Sequence, residues 1–397
     1  MASGWIAQSA CTDKGQEKGM RVLQVVTGMT VGGAERVVAD LADGLVKSGC
    51  EVRLAYMKGP QQVTPRRGEV ELTCLGIDST ADMPAGLLRF RRLLREFAPH
   101  IVHCHMFHAA MLARVARLTT RIPCVISTMH TSSDGGRARA IAYRTTEWLS
   151  DVSTNVSCEA VEQFAANGAV RADRVLAIHN GISVEQFRPS PEARQRLREQ
   201  YGIAPGCKLL FAAGRLGWSK DYPNMFQALA RLPPDLDYQL LIAGDGDLRA
   251  ELEQMVVDLG LSSRVRFLGI RRDVADLMAA ADVYLLSSVG ESFGLVVAES
   301  MACECVVVAT DAVGVSEVLG DCGFLVPRQN PDALAAAIVK AASLPEAQAR
   351  ELGRRARQRV VEKYSFERAV ANWRELYASL LAGNNRHNLR EARSTGD

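Results

Sequence analysis

Short β-branched runs alternate with longer amphipathic stretches along most of the chain, and the series starts twice. Strands alternating with helices in this way pair in parallel, because each helix carries the chain back across the sheet. Residues 21–26 read as a strand, and residues 34–47 as a helix with Val37, Val38, Leu41 and Leu45 on one face. Residues 51–55 form a second strand, ended by Lys58-Gly59-Pro60, and the runs 101–104, 124–128 and 152–156 continue the series. Asn180-Gly181 is a turn signal, and Pro189 and Pro191 follow it. The series restarts with strand 209–213, helix 221–230, strand 239–243 and helix 248–259. Strands 265–268 and 283–286, helix 293–301 and strand 306–309 complete it. The expected fold is α/β, with two Rossmann-like, doubly wound halves. In such sheets ligands sit outside the carboxyl ends of the strands, and with two halves the cleft between them is the expected active site.

The expected division is an extended or disordered start (1–19), an N-terminal domain (20–182), a C-terminal domain (183–364), a closing helix (365–382) and a polar tail (383–397). Ser365 reads as the N-cap of that helix, with Trp373, Leu376, Leu380 and Leu381 behind it. A length of 397 residues suits two domains of ordinary size. A net charge of +2 argues against a general nucleic-acid binder. No apolar run reaches bilayer-spanning length. The first twenty residues lack a charged start followed by an apolar segment, so they do not read as a secretory signal. The ten cysteines are scattered without a CxxC pair and read as reduced thiols of a cytoplasmic protein.

The richest chemistry lies where Glu291 and Glu299 bracket Ser-Phe-Gly-Leu-Val-Val-Ala. A helix beginning near Phe293 would leave the N–H groups of Phe293, Gly294 and Leu295 without helical partners, and Gly294 would let a ligand approach them. Two hydroxyl acceptors then flank an anion-binding helix end, matching the hydroxyls and diphosphate of a sugar nucleotide. Arg215 and Lys220, in Gly214-Arg215-Leu216-Gly217-Trp218-Ser219-Lys220, follow the first strand of the second half. A planar fork of donors and a compact charge suit a diphosphate. Gly32 and Gly33 precede the first helix and allow close approach to a phosphate, although the P-loop ending is missing. Gly244-Asp245-Gly246-Asp247 is more simply a turn and an N-cap than a metal site. His103, His105 and His108 could hold zinc only with a fourth ligand that the spacing does not supply. No metal is expected. His130, just after the strand 124–128, could position an acceptor or touch the donor sugar. Glu317 caps or braces its loop.

Together these pieces resemble a GT-B glycosyltransferase, and most closely retaining glycosyltransferase family 4. The resemblance spans about residues 21 to 382. It rests on the Glu-x7-Glu segment, the Gly-Arg-Leu…Lys loop, Gly32-Gly33-Ala34-Glu35-Arg36 and Asn180-Gly181-Ile182. It implies Glu291 at the transferred sugar, Glu299 on the ribose, and Arg215 and Lys220 on the diphosphate. It also implies Gly32 and Gly33 on the phosphates, His130 near the reacting sugar, and a last helix that crosses back to the first domain. The chain departs from the family at Glu304-Cys305-Val306, where Gly-x-Pro is usual, and at Val313-Gly314, where glycines are usually paired. Glu304 would occupy a C′ position that favours glycine, at a cost of about 1 kcal/mol.

The implied reaction moves a sugar from a nucleoside diphosphate sugar, UDP preferred over GDP, to a saccharide or lipid-linked acceptor with retention. No resident cofactor is implied. A sugar-nucleotide epimerase and a non-catalytic sugar-nucleotide sensor are the alternatives. Arg89, Arg91, Arg92 and Arg95 among the apolar residues of 87–97 form either a solvated helix face or a peripheral contact with anionic lipid.

Overall fold

The computed structural model describes residues 19–30, 32–132 and 135–383. The expectations for residues 1–18 and for the tail beyond 383 lie outside them. The described residues up to His179, together with those from Glu367 onward, form one compact unit, and Asn180–Phe366 form a second.

The first unit begins with β1 (Arg21–Met29), α1 (Gly33–Lys47), β2 (Glu51–Gln61) and β3 (Glu71–Cys74). It continues through α2 (Met83–Phe97), β4 (Ile101–His105), α3 (Phe107–Arg117), β5 (Cys124–Met129) and α4 (Arg137–Thr145). It then runs through β6 (Val152–Asn155), α5 (Cys158–Ala166) and β7 (Val175–Ala177). The seven strands pair in parallel in the order β3-β2-β1-β4-β5-β6-β7. β1 and β2 both run further than their sequence patterns suggest. β2 passes through Gly59 and Pro60 instead of stopping there, and a register shift between Gly28 and Met29 skips the proline, which has no N–H to offer.

Alternation along the strands gives this sheet two buried faces. One carries Leu23, Val25, Val102, Cys104 and Val125 against Phe90, Leu94, Leu112 and Ala113 of α2 and α3. The other carries Gln24, His103, His105, Thr128 and Thr154, all buried polar residues.

The second unit begins with α6 (Pro191–Tyr201), β8 (Lys208–Ala213), α7 (Tyr222–Leu229), β9 (Tyr238–Ala243) and α8 (Arg249–Asp258). β10 (Val265–Gly269), α9 (Val274–Ala280), β11 (Val283–Leu286), α10 (Leu295–Ala302) and β12 (Val306–Thr310) follow. It ends with α11 (Val315–Leu319), β13 (Phe324–Val326), α12 (Pro331–Ala342) and α13 (Glu346–Lys363). Its strands are parallel in the order β10-β9-β8-β11-β12-β13. The helix starts follow local chemistry. Ser190 and Asn330 accept from the N–H groups of Ala193 and Ala333, and a proline stands in the first turn of each helix.

Ile182 and Ser365 bridge in parallel, with the N–H of Phe366 donating to the Ile182 carbonyl. The closing helix α14 (Phe366–Leu381) then packs on the polar face of the first sheet. The Tyr377 hydroxyl lies 2.6 Å from His103 Nδ1, and the Trp373 ring lies 4.4 Å from that imidazole.

Candidate functional site

Both sheets reverse their strand order once, between β1 and β4 and between β8 and β11. Strands that diverge to either side leave a crevice at their carboxyl ends. The sequence-flagged residues concentrate at these two places.

In the second unit, the loop after β8 carries Lys220 and the loop after β11 carries Glu291. Lys220 Nζ lies 2.5 Å from Glu291 Oε1, with the two side chains 19% and 14% exposed. The Ser288 hydroxyl donates to the same oxygen at 2.8 Å, and the Ser287 hydroxyl donates to the Lys220 carbonyl at 2.8 Å. The Val289 N–H donates to the Ser219 carbonyl and locks the two loops together. The Lys220 stem passes where a side chain at Gly214 would stand, 3.0 Å from its Cβ position. Asp221 closes the loop in left-handed conformation and caps α7, and burial pushes its carboxyl pKa up. Tyr222 and Tyr284 donate to the carbonyls of Gly214 and Ala213; burial first, then nearby acidic groups, push both phenols up, so both are neutral donors. Ser287, Ser288 and Asp221 were missed from sequence. A pair of serines after a strand and three residues before a glutamate was the available signal.

Three expectations here need correction. The helix beside Glu291 begins at Leu295, not Phe293, with Gly294 preceding it at a φ of 85°. Phe293 is buried edge-on against Tyr364, so it seats the loop through its ring. A side chain at Gly294 would meet Val315 at 3.2 Å, and one at Gly314 would strike the Ser292 carbonyl at 2.7 Å. Glycine is therefore required on both sides of this helix start. Glu299 is half-buried one turn into α10. Arg215 does not join Lys220 and Glu291. It is 74% exposed and pairs with Asp247 at 2.9 Å. Neither aspartate of the 244–247 turn caps α8; Leu248 holds that position, with no side-chain cap. Glu317 braces through its backbone: its carbonyl accepts from Arg359 and from the Tyr364 hydroxyl.

In the first unit, Gly32 is the extended N-cap residue of α1, and Gly33 is its first residue. The Glu35 carboxylate occupies the space where a Gly32 side chain would stand. Burial pushes the Glu35 pKa up. His130 Nε2 lies 3.0 Å from His105 Nδ1, and burial pushes the His130 pKa down to about 4. It is a neutral imidazole at neutral pH. His103 contacts Tyr377 and the Thr128 hydroxyl, 2.6 Å from each, and burial holds it well below the usual imidazole range. His103 is thus a satisfied structural residue. A cavity of about 240 Å³ opens beside His130, lined also by Thr27, Phe107, His108, Arg139 and Tyr143.

The basic face of α2 is largely engaged within its own unit. Arg89 donates to the carbonyls of Leu75 and Gly76, Arg91 to Thr120, and Arg92 to Glu96. Among the described residues no helix is long and apolar enough to cross a membrane.

Two family profiles match the chain. "Glycosyltransferase Family 4" matches residues 31–186, and "Glycosyl transferases group 1" matches residues 193–359. The chain is 29% identical over 306 residues to the putative glycosyltransferase EpsD of Bacillus subtilis, covering 74% of this chain and 80% of that protein. It is 24% identical over 328 residues to an Escherichia coli UDP-Gal:alpha-D-GlcNAc-diphosphoundecaprenol alpha-1,3-galactosyltransferase, covering 79% and 83% respectively. Among solved structures, Anabaena HepE in complex with UDP superposes with a TM-score of 0.80 at 23% identity, over 91% of this chain and all of that one. Two parallel Rossmann-like units, each bearing flagged residues at its switch point, have the GT-B composition. The chain belongs to glycosyltransferase group 1/family 4 and is a GT-B enzyme that transfers sugar from a nucleotide sugar.

Proposed function

We infer that the donor is a UDP-sugar, that the acceptor is a saccharide or a lipid-linked saccharide, and that transfer retains the anomeric configuration without a metal ion. The observation that carries this reading is the meeting of Lys220 and Glu291 at the second sheet's switch point, beside the start of α10. The transition state is an oxocarbenium-like sugar leaving a diphosphate. Negative charge grows on the phosphate oxygens, and a lysine ammonium and a helix N-terminus are suited to meet it. Glu291, released from Lys220 when a phosphate takes the ammonium, turns its oxygens to the sugar hydroxyls. Glu299 takes the ribose. Arg215 reaches the diphosphate by leaving Asp247, an exposed pair worth at most about 1 kcal/mol. His130 and the Gly32–Gly33 turn keep the roles the resemblance implies. The acceptor oxygen bonds to the anomeric carbon as the bond to the diphosphate oxygen breaks, and the departing phosphate takes the acceptor proton.

The Escherichia coli relative is named for a UDP-sugar donor and an undecaprenyl-linked acceptor, and HepE is described with UDP. Both support the choice of UDP, and the Escherichia coli relative supports an assembly role in polysaccharide or glycolipid synthesis. Lys220→Ala should lower turnover about 100-fold or more, by analogy with loss of one transition-state donor, while the thermal unfolding curve stays in place. Turnover near wild type would remove Lys220 from the chemistry. A thermal-shift comparison of UDP, GDP and ADP should give the largest upward shift with UDP; a larger shift with GDP would overturn the base assignment.

A further inference from the structure

His105 ends β4, and His130 follows β5. The two strands are held level there: His105 stands opposite Thr128 in register, and the Met106 N–H donates to the Thr128 carbonyl at 2.9 Å. Met106 makes this turn at a φ of 71° and a ψ of 168°, a backbone that ordinarily belongs to glycine. His105 Nδ1 and His130 Nε2 lie 3.0 Å apart, so one of the two nitrogens carries a proton and the other accepts it. The His105 ring is 1% exposed and stacks on His103, 4.0 Å between centroids. His103 is itself pinned by Tyr377 and Thr128, so the His105 ring has a fixed support. Burial first, then the neighbouring imidazoles, keep His105 neutral, and burial keeps His130 neutral. Each ring therefore carries a single proton, and the contact between them decides where both protons sit.

If His130 donated, the proton of His105 would stand on Nε2. That nitrogen is buried and has no hydrogen-bond partner among the described residues. A buried N–H without an acceptor costs the desolvation of a donor, and such groups are rarer in folded proteins than acceptors left bare. With the proton on Nδ1 instead, His105 donates to His130 and leaves only a lone pair on Nε2. His130 then accepts at Nε2 and carries its own proton on Nδ1, the nitrogen left for a ligand in the cavity that its ring lines. We propose that His105 is a positioning residue, which donates from Nδ1 to His130 Nε2 and so fixes His130 as the tautomer that offers an N–H to substrate. The proposal rests on the transfer reading for the place of His130 at the reacting sugar. An N–H there bonds a sugar oxygen. It presents no lone pair to the acceptor hydroxyl, whose proton goes to the departing phosphate.

Proton–nitrogen NMR of the full chain with isotope-labelled histidine, at neutral pH, tests it. The His130 signals, assigned by their loss in His130→Gln, should show a protonated Nδ1 and a bare Nε2. This form should exceed the other tautomer about tenfold, the bias that one net hydrogen bond supplies. His105→Leu removes the donor and should erase that excess. His105→Asn, whose amide nitrogen falls near the place of Nδ1, should keep most of it; a side chain that only filled space would be replaced as well by Leu as by Asn. A wild-type spectrum with the His130 proton on Nε2 would overturn the proposal, and so would an Nδ1–H pattern that persists in His105→Leu. The wild-type spectrum decides even where a variant fails to fold. Saturating UDP-glucose should then move the Nδ1-bound proton signal. An unmoved signal in a protein whose thermal midpoint UDP-glucose raises would overturn the contact with substrate. The tautomer spectra need no donor, so this assignment and the UDP reading can fail independently.

Discussion

Glu304 shows how much one side chain can be held against its preference. It follows α10 at a φ of 61°, with its N–H on the Met301 carbonyl and the Cys305 N–H on the Ser300 carbonyl, the paired bonds of a Schellman ending. The Gly353 backbone on α13 approaches so closely that a side chain there would meet the Glu304 carbonyl at 2.2 Å. Glu304→Gly should therefore stabilise the protein by about 1 kcal/mol, since the left-handed conformation costs a residue with a Cβ roughly that much; a urea midpoint at or below wild type would contradict this. The strain was legible because Glu304 stands, after a helix expected to end at Met301, where the resemblance puts a glycine. The partners of the site residues were less so. Lys220 and Glu291 could each be placed at a strand end, and the shared parallel sheet then brought them together. The direction of Arg215 was not legible. A glycine-rich loop does not fix where an exposed side chain points, and Asp247 was close enough to capture it.

At the scale of elements, α14 completes the first sheet's polar face. Its buried Trp373 and Tyr377 cover His103, a residue 274 positions from Tyr377 in sequence. Trp373→Ala should cost about 3–5 kcal/mol, the usual penalty for truncating a buried aromatic. Tyr377→Phe should cost about 1–3 kcal/mol by leaving a buried imidazole nitrogen unsatisfied. Urea unfolding measures both, and a Tyr377→Phe protein as stable as wild type would show that the bond contributes nothing. The apolar face of this helix was visible in sequence. β3, β7 and β13 were not, because strands of four, three and three residues are too short to establish a period. The late start of α10 escaped as well. Phe293 fits a helix by propensity, but its ring packs against Tyr364 and Gly294 turns the chain before the helix begins.

For the molecule as a whole, the histidines on that buried face set a pH dependence. His103, His105 and His130 are all held below the ordinary imidazole range, chiefly by burial. Above about pH 6.5 folded and unfolded chains are both neutral at these positions, and the full stability is present. As the pH falls below 6.5 the unfolded chain binds protons that the folded chain refuses, so stability declines toward pH 4, where His130 itself titrates. His130 alone contributes at most about 3 kcal/mol to this loss. The urea midpoint should fall between pH 7 and pH 4, and less steeply in His130→Gln; a flat profile in the wild type would refute it. The twofold Rossmann-like architecture was legible because alternating patterns and the Asn180-Gly181 turn mark it. The cavity at Arg139 was not, since it assembles from β1, the starts of α1 and α3, the end of β5 and α4. One feature also bears on how the chain is made. The first unit takes its last helix from beyond Glu367, whereas the second is continuous from Asn180 to Phe366. On a ribosome, the second unit has its full complement of residues first, and the earlier unit waits with its histidine-lined surface uncovered until the residues after Phe366 emerge.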